Sequence, residues 1–317
     1  MQWLNLSQSY LNIVLVVSAI LGFASIVNTC LVFNKKDSLV FKKISIIIRS
    51  WWVIATVIVT AGFFGKYGFL LIFIFIIFLI LKEFFHGAAI SGIKRYLQIL
   101  SGLYTLILAY FIHIENFDLF SSFPFLYLIC TVPLLLLIKG TVGYLPKLLA
   151  SYFGILFIIQ CVLYLPVLVF VGPKFFGDLN QAILLFFLVI GLTQANDVFQ
   201  FIFGKLFGKN KIVPHLSPNK TEAGFIGGVL STTIVGACLF NYLLGFDLGF
   251  SILLSFSVSL FGIFGDLTFS ATKRYFGIKD FSDILPGHGG VIDRLDSIIF
   301  SGPIIFHIIK FYTNINL

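Results

Sequence analysis

The sequence predicts an all-α fold: a polytopic integral membrane protein with about ten transmembrane helices. Two bulk observations and one positional observation carry that prediction. Hydrophobic residues make up 59% of the 317 residues, charged residues only 11%, and the mean hydropathy is +1.06. A soluble domain carries roughly 25% charged residues, so this chain has too few charges to cover a water-exposed surface and lipid must be its main solvent. The positional observation is the alternation of basic loops, taken up below. A helix crossing a hydrocarbon layer about 30 Å thick needs about 20 mostly apolar residues. Most of the chain consists of such runs, at approximately 11–33, 44–65, 68–85, 97–113, 123–139, 150–171, 181–203, 223–245, 248–268 and 297–313. Glycine and proline inside several of them are compatible with spanning helices, whose neighbours can satisfy the freed backbone groups.

The loops separating the runs alternate in charge. Lys35, Lys36, Lys42 and Lys43 follow the first run; Lys82, Lys94 and Arg95 flank the third loop; Lys139 and Lys147 follow the fifth. Lys205, Lys209, Lys211 and Lys220 follow the seventh, and Lys273, Arg274, Lys279 and Arg294 follow the ninth. These loops hold seventeen basic residues, whereas the opposite set holds three, Lys66, Lys174 and Lys310. Cytoplasmic loops carry the excess of lysine and arginine, so the heavy set is expected in the cytoplasm and the N-terminus outside. Topological anchoring accounts for most of the net charge of +8, although a basic face also attracts anionic headgroups and nucleotides. No soluble basic groove with interleaved aromatics points to nucleic acid. Met1 to Tyr10 has no basic n-region, so no cleavable signal is expected. Cys30, Cys130, Cys161 and Cys238 lack metal-ligand or C-x-x-C spacing and read as packing residues. There is no P-loop, H-E-x-x-H or G-x-S-x-G motif.

Seven of the 13 acidic residues (Asp197, Glu222, Asp266, Asp280, Asp283, Asp293 and Asp296) fall in two segments on the basic side, 196–228 and 265–297. Asp197 and Asp266 stand near the cytoplasmic ends of the seventh and ninth runs. A carboxylate at membrane depth is costly and therefore a functional candidate; the plainer reading is an interfacial acid solvated by headgroups or paired with a lysine. Asp293 and Asp296, three apart, share a face if the tenth helix has begun, or they form an acidic cluster suited to a helix N-terminus. Carboxylates from several helix ends can share a hard cation. Magnesium takes a few carboxylates plus substrate phosphates, and such ions steady the attacking and leaving oxygens of an in-line displacement. Lys220, Lys273, Arg274 and Lys279 are available to phosphate charge on the same side. Pro286-Gly287-His288-Gly289-Gly290 is either a turn whose N–H groups approach phosphate or a plain interhelical turn, and His288 within it is either catalytic or structural. Ser217-Pro218-Asn219-Lys220-Thr221 is either a helix cap before the eighth run or a phosphate contact.

The stretch Ser270 to Asp296, SATKRYFGIKDFSDILPGHGGVIDRLD, closely resembles the signature of the CDP-diacylglycerol synthases (phosphatidate cytidylyltransferases). That signature reads S-x-x-K-R, four residues, K-D, then P-x-H-G-G-x-x-D-R-x-D. Gly265-Asp266-Leu267 matches ahead of it, as do Asn196-Asp197 and the upstream F-G-K, S-P-x-K-T and G-F-I-G-G elements. The likeness covers about residues 190–300; the first half matches as generic spans. It implies attack of a phosphatidate oxygen on the α-phosphate of CTP, with pyrophosphate leaving, magnesium as cofactor and a homodimer in membrane lipid. It also implies metal ligation by Asp266 and Asp293 with Asp296 close by, and catalytic roles for Asp266, Asp293, Lys273 and Arg274. Substrate contacts are implied for Asp197, Ser217, Lys220, Ser270, Lys279, His288, Gly289, Gly290 and Arg294. Three positions depart from the family: Thr272 replaces a bulky aliphatic, Phe269 an often acidic residue, and Glu222-Ala223 places the acid of T-x-E-G one position early. One position rotates a helical side chain by about 100°.

The expected organisation is therefore an N-terminal set of spans, residues 1–175, and a C-terminal catalytic region, residues 176–317. The leading reading is phosphatidate cytidylyltransferase in phospholipid biosynthesis, in a bacterial plasma membrane with the site facing the cytoplasm. The alternatives are a divergent relative using CTP with another lipid phosphate, isoprenoid or ether lipid, and a transporter. A transporter predicts acids facing one another at mid-membrane and broken-helix repeats, whereas the acids here concentrate at one face.

Overall fold

The computed structural model describes residues 8–34, 39–87, 94–139, 152–284 and 289–313. Ten helices are present among them: α1 (Gln8–Asn34), α2 (Leu39–Phe63), α3 (Gly65–Gly87), α4 (Lys94–His113), α5 (Phe117–Lys139), α6 (Ile158–Phe176), α7 (Leu179–Phe207), α8 (Glu222–Leu244), α9 (Leu248–Tyr275) and α10 (Ile292–Thr313). One turn of π-helix, Tyr152–Phe157, leads into α6. Each expected span coincides with one helix. Among the described residues, α1, α2, α3, α6, α7, α8, α9 and α10 are long and apolar enough to cross a membrane, and the apolar part of α4, Leu97–His113, is shorter. No strand occurs among the described residues; Lys211 and Thr221 form an isolated antiparallel bridge.

The core is built around α6. Every residue from Ile158 to Gly172 is buried, because α6 is packed by α3, α4, α7 and α10. A helix that is apolar on every face is one with neighbours on every face. Around this pillar, α7 packs on α8, α8 on α9 and α9 on α10 more extensively than any other pairs. Small residues permit that closeness, as is usual between membrane helices: a Cβ on Gly228 of α8 would lie 2.5 Å from Gln200 Cγ of α7. α1 and α2 lie at the periphery, with Leu15, Phe23 and Val53 exposed to lipid. An apolar cavity of about 670 Å³ separates them from α7 and α8; Ile13, Trp51, Phe187 and Leu239 help line it, and no carboxylate does.

The helix ends follow from short local signals. Asp178, Thr221 and Asp247 precede α7, α8 and α9, and their side-chain oxygens accept from the backbone N–H of Asn180, Gly224 and Phe250 at 3.0, 3.1 and 3.0 Å. Those bonds satisfy donors that the first helical turn leaves unpaired. Gly177 and Gly245 end α6 and α8 with φ 71°, a left-handed conformation that glycine adopts without Cβ strain.

One rim of the bundle is closed by ion pairs. Lys66 and Lys174 meet Glu115 at 2.6 and 3.8 Å, and Lys310 meets Asp118 at 2.7 Å. These are the three basic residues of the lightly charged loop set, and all are neutralised at the α4–α5 turn. The start of α3 and the ends of α6 and α10 therefore lie at one level, as alternating spans require. Tyr312 stacks on Phe250 and donates to Asp247 Oδ2 at 2.5 Å on the same rim. That hydroxyl, and then the Phe250 N–H, hold the Asp247 carboxyl below the usual carboxylate range.

Candidate active site

At the opposite end, α7, the segment entering α8, α9 and the first turn of α10 bring four carboxylates and their cations together. The scaffold is a buried amide. Asn196 Oδ1 accepts from Ser259 Oγ (2.8 Å) and Thr232 Oγ1 (3.3 Å), and Asn196 Nδ2 donates to the Ser259 carbonyl (3.2 Å). This ties α7 to α8 and α9. Asp197 is rotated by about 100° from Asn196 and turns to α10, where Ser297 Oγ donates to its Oδ2 at 3.4 Å. Gln200 Nε2 donates to the other oxygen at 3.4 Å.

Asp266 of α9 accepts from Ser270 Oγ at 3.3 Å, one turn on, and is ion-paired through Oδ2 with Lys220. Asp293 in the first turn of α10 is paired with Lys273 at 2.8 Å. Its second oxygen accepts the backbone N–H groups of Phe281 and Gly290, both at 2.9 Å. Asp296, buried one turn further, accepts from the N–H of Ser297 at 2.7 Å. Asp197, Asp266 and Asp296 lie within electrostatic reach of one another, with Lys220, Lys273 and Arg294 as counter-charges. The α9–α10 crossing that produces this is very close: a Cβ on Gly265 would stand 2.3 Å from the Asp296 carbonyl oxygen. Asp197 and Asp266 lie about 15 Å inside the ends of α7 and α9, at 1.5 Å of rise per residue. Asp197 and Asp266 are thus recessed below the ends of α7 and α9, and Asp293 and Asp296 meet them from the start of α10.

The structure brings together Asp197, Lys220, Asp266, Ser270, Lys273, Asp293, Arg294 and Asp296. Ser217 closes the turn before Lys220 through its backbone, accepting the Lys220 N–H at 3.3 Å. Arg274, in the last turn of α9, and Lys279, on the turn that follows, stand exposed, with Arg274 Nη1 donating to the Ile278 carbonyl at 3.5 Å. Pro286, Gly287 and His288 lie outside the described residues. Gly289 adopts φ +81° and a Cβ there would sit 3.0 Å from Asp293 Oδ2; Gly290 spends its N–H on the same carboxylate. Within 217–221, the capping oxygen belongs to Thr221.

Two family departures acquire physical content. Glu222 opens α8, is exposed, and accepts from Asn210 Nδ2 at 3.1 Å. It therefore turns to the 208–221 loop and not to the carboxylates. Phe269 is fully buried and belongs to an aromatic cluster with Phe153 and Phe281, ring centroids 5.8 and 6.4 Å away; a carboxylate there would be desolvated among rings. One residue escaped the sequence reading altogether: Glu83 of α3, buried, whose carboxylate reaches the start of α10. An acid inside an apolar run was the available signal.

Among the described residues, no group of three or more His, Cys, Asp or Glu side chains is drawn close enough to hold a metal ion. Asp266 and Asp293 face ammonium groups instead. The chemistry of the donors still suits a hard cation: all are carboxylate oxygens, and magnesium favours one or two of these with substrate phosphates completing the shell.

Fold and site together define a polytopic helical membrane protein with a recessed carboxylate–lysine cluster at one end of the bundle. The profile of the cytidylyltransferase family matches residues 45–312, and the chain belongs to that family. A protein from Escherichia coli K12 named "Uncharacterized protein YnbB" is 37% identical over 134 residues, 42% of this chain and 45% of that protein. A phosphatidate cytidylyltransferase of Staphylococcus aureus is 43% identical over 141 residues, 43% of this chain and 53% of that protein. The corresponding protein of Staphylococcus haemolyticus is 46% identical over 125 residues, 39% of this chain and 46% of that protein. The chain spans about half the length of the curated relatives it matches.

Proposed function

We propose that this protein is a phosphatidate cytidylyltransferase, converting CTP and phosphatidate to CDP-diacylglycerol and pyrophosphate. A phosphate oxygen of phosphatidate bonds to the α-phosphorus of CTP, the bond to the β-phosphate's bridging oxygen breaks, and pyrophosphate leaves with that electron pair. The observation that carries the reading is the convergence of Lys273, Asp293 and Asp296 with Asp266, Lys220 and Asp197 at one membrane level. Lys220 and Lys273 neutralise carboxylates at rest and exchange them for phosphate oxygens when substrate enters. Asp266, Asp293 and Asp296 are the proposed holders of Mg²⁺, with Asp197 beside them. Bound there, Mg²⁺ would offset phosphate charge and polarise the α-phosphate. Ser270, Gly289, Arg294, Ser217, Arg274 and Lys279 complete the substrate surround in this reading. It also takes the basic rim as cytoplasmic, the membrane as a bacterial plasma membrane and the enzyme as a homodimer.

The test is direct. The purified protein in detergent, given phosphatidate, CTP and Mg²⁺, releases pyrophosphate, and chelating the metal or omitting either substrate abolishes the release. No release above background with phosphatidate would overturn the reading. Because Glu222 turns to Asn210 and leaves Ala223 at the family's acidic position, a second reading keeps CTP and replaces phosphatidate by another lipid phosphate. Release with an isoprenoid or ether-lipid phosphate and not with phosphatidate selects that reading.

A further inference from the structure

We propose that Glu83, contributed by α3 from the N-terminal half, is the positioning residue that sets Asp293 and Asp296 in the site. The proposal rests on the cytidylyl-transfer reading for one of its two readouts only. Glu83 is 2% exposed. Its Oε1 accepts the Val291 N–H at 2.9 Å and the Ser282 hydroxyl at 2.6 Å, and its Oε2 accepts the Ile292 N–H at 3.0 Å. Val291 and Ile292 lead into and open α10. The first N–H groups of a helix have no partner within it, and a side chain just ahead of the helix ordinarily supplies the acceptor. Here the residues just ahead are Gly290 and Val291, which carry no side-chain acceptor. The cap is delivered instead by another helix, about 200 residues away in sequence, and a carboxylate suits the positive end of the α10 dipole.

Asp293 completes the arrangement from inside. It takes the N–H groups of Phe281 and Gly290 while Glu83 takes those of Val291 and Ile292. With the Ser282 hydroxyl, the two carboxylates hold both stems of the turn between α9 and α10. The carboxylates crowd Gly290 so closely that a Cβ there would lie 2.6 Å from Glu83 Oε2. Among the described residues, the bonds of the Glu83 carboxylate go to the turn and to the helix start, and none goes to Lys220 or Lys273. Glu83 thus acts through α10: it fixes the entry and register of the turn that carries Asp293 and Asp296.

The experiment compares the wild-type protein with Glu83→Ala and Glu83→Gln by hydrogen exchange and by steady-state kinetics. In Glu83→Ala, amides in the peptide spanning Gly290 to Asp296 exchange at least about tenfold faster, while those of α6 do not change. Its kcat for pyrophosphate release falls roughly 100-fold with KM for the lipid within about threefold, as a displacement of reacting groups by about 1 Å would produce. Glu83→Gln keeps one accepting oxygen and presents its amide to an N–H, so it recovers part of both losses. Unchanged exchange overturns the proposal. So does faster exchange with unchanged kcat, which would make Glu83 a structural cap alone. If wild-type protein releases no pyrophosphate, the cytidylyl reading falls and the exchange comparison alone decides the role of Glu83. If Glu83→Ala does not fold, the near-isosteric Glu83→Gln carries both readouts.

Discussion

Gly265→Ala tests whether the α9–α10 contact sets the geometry of the cluster. A Cβ at this position would lie 2.3 Å from the Asp296 carbonyl oxygen and 3.2 Å from both Phe300 Cδ2 and Ser297 Cα. The closest of these atoms is backbone, so no side-chain rotation relieves it. Restoring ordinary contact requires the helices to separate by about 1 Å, because well-packed cores answer an added methyl by shifting backbone. That shift acts between Asp266, the next residue on α9, and Asp296, the residue struck on α10. Overpacking of this kind costs about 1–3 kcal/mol, a loss that a bundle of this size survives. A misplacement of about 1 Å among reacting groups can cost about 100-fold in rate. The expected result is a kcat for pyrophosphate release lowered about 10- to 100-fold, with a thermal midpoint in detergent lowered only modestly. Gly102→Ala is the control, because a Cβ there meets nothing within 4 Å, and it retains full turnover. A Gly265→Ala protein within about threefold of wild-type kcat would refute the reasoning, since a separation of this size is expected to cost far more.

Two further outcomes are expected. Lys273→Met and Asp293→Asn each strand a buried partner whose side-chain exposure is 3% or 12%. Each should cost about 3–5 kcal/mol in denaturant unfolding, while the double variant loses clearly less than the sum; strictly additive losses would show that the pair is not coupled. In a cysteine-free background, Asp178→Cys on intact cells should react with an impermeant maleimide and Lys209→Cys should react only after permeabilisation, and the reverse pattern would invert the proposed orientation.

The spans were legible because hydropathy is a local property, and their errors have a local cause. The ninth run was expected to stop at 268, yet α9 continues to Tyr275. Thr268 and Thr272 donate their hydroxyls to the carbonyls of Phe264 and Thr268, at 2.7 and 2.9 Å. This back-bonding hides polarity within the helix, so a hydropathy window ends before the helix does. The tenth run was expected to begin at 297, but α10 begins at Ile292 with Asp293, Arg294 and Asp296 already helical. Charge at a helix N-terminus reads as loop when only hydropathy is counted. For the same reason Asp197 and Asp266 were expected near the ends of their helices and lie about 15 Å within them, counting 1.5 Å per residue. The identity of the clustered acids was readable from their concentration in two segments. The pairing of Lys220 with Asp266 and Lys273 with Asp293 was not, because it depends on how α8, α9 and α10 pack. Glu83 was the least readable of all: two of its three partners among the described residues are backbone N–H groups, which every residue except proline possesses.

The charge balance of the cluster constrains the chemistry further. Among the described residues, Asp197, Asp266, Asp293 and Asp296 face three cations, Lys220, Lys273 and Arg294. Carboxylates outnumber basic groups in this set, and it sits among apolar helices where charge is weakly screened. In the proposed reaction a nucleoside triphosphate and a lipid phosphomonoester, both anionic, must enter this same space. The lysines each have N–H donors enough to reach a carboxylate and a phosphate together, but the single positive charge of each cannot offset both. If they turn to phosphate, Asp266 and Asp293 are left without counter-charge at a depth where that is expensive. A hard cation held by Asp266, Asp293 and Asp296, as proposed above, would meet both demands, because carboxylate and phosphate oxygens are its preferred ligands. On the proposed reaction, the two ion pairs would be the resting form of the site. In the same form, Glu83 holds the start of α10 by a bond set that involves neither lysine. The frame can therefore stay fixed while the ion pairs exchange partners, which is what a preorganised phosphoryl-transfer site requires.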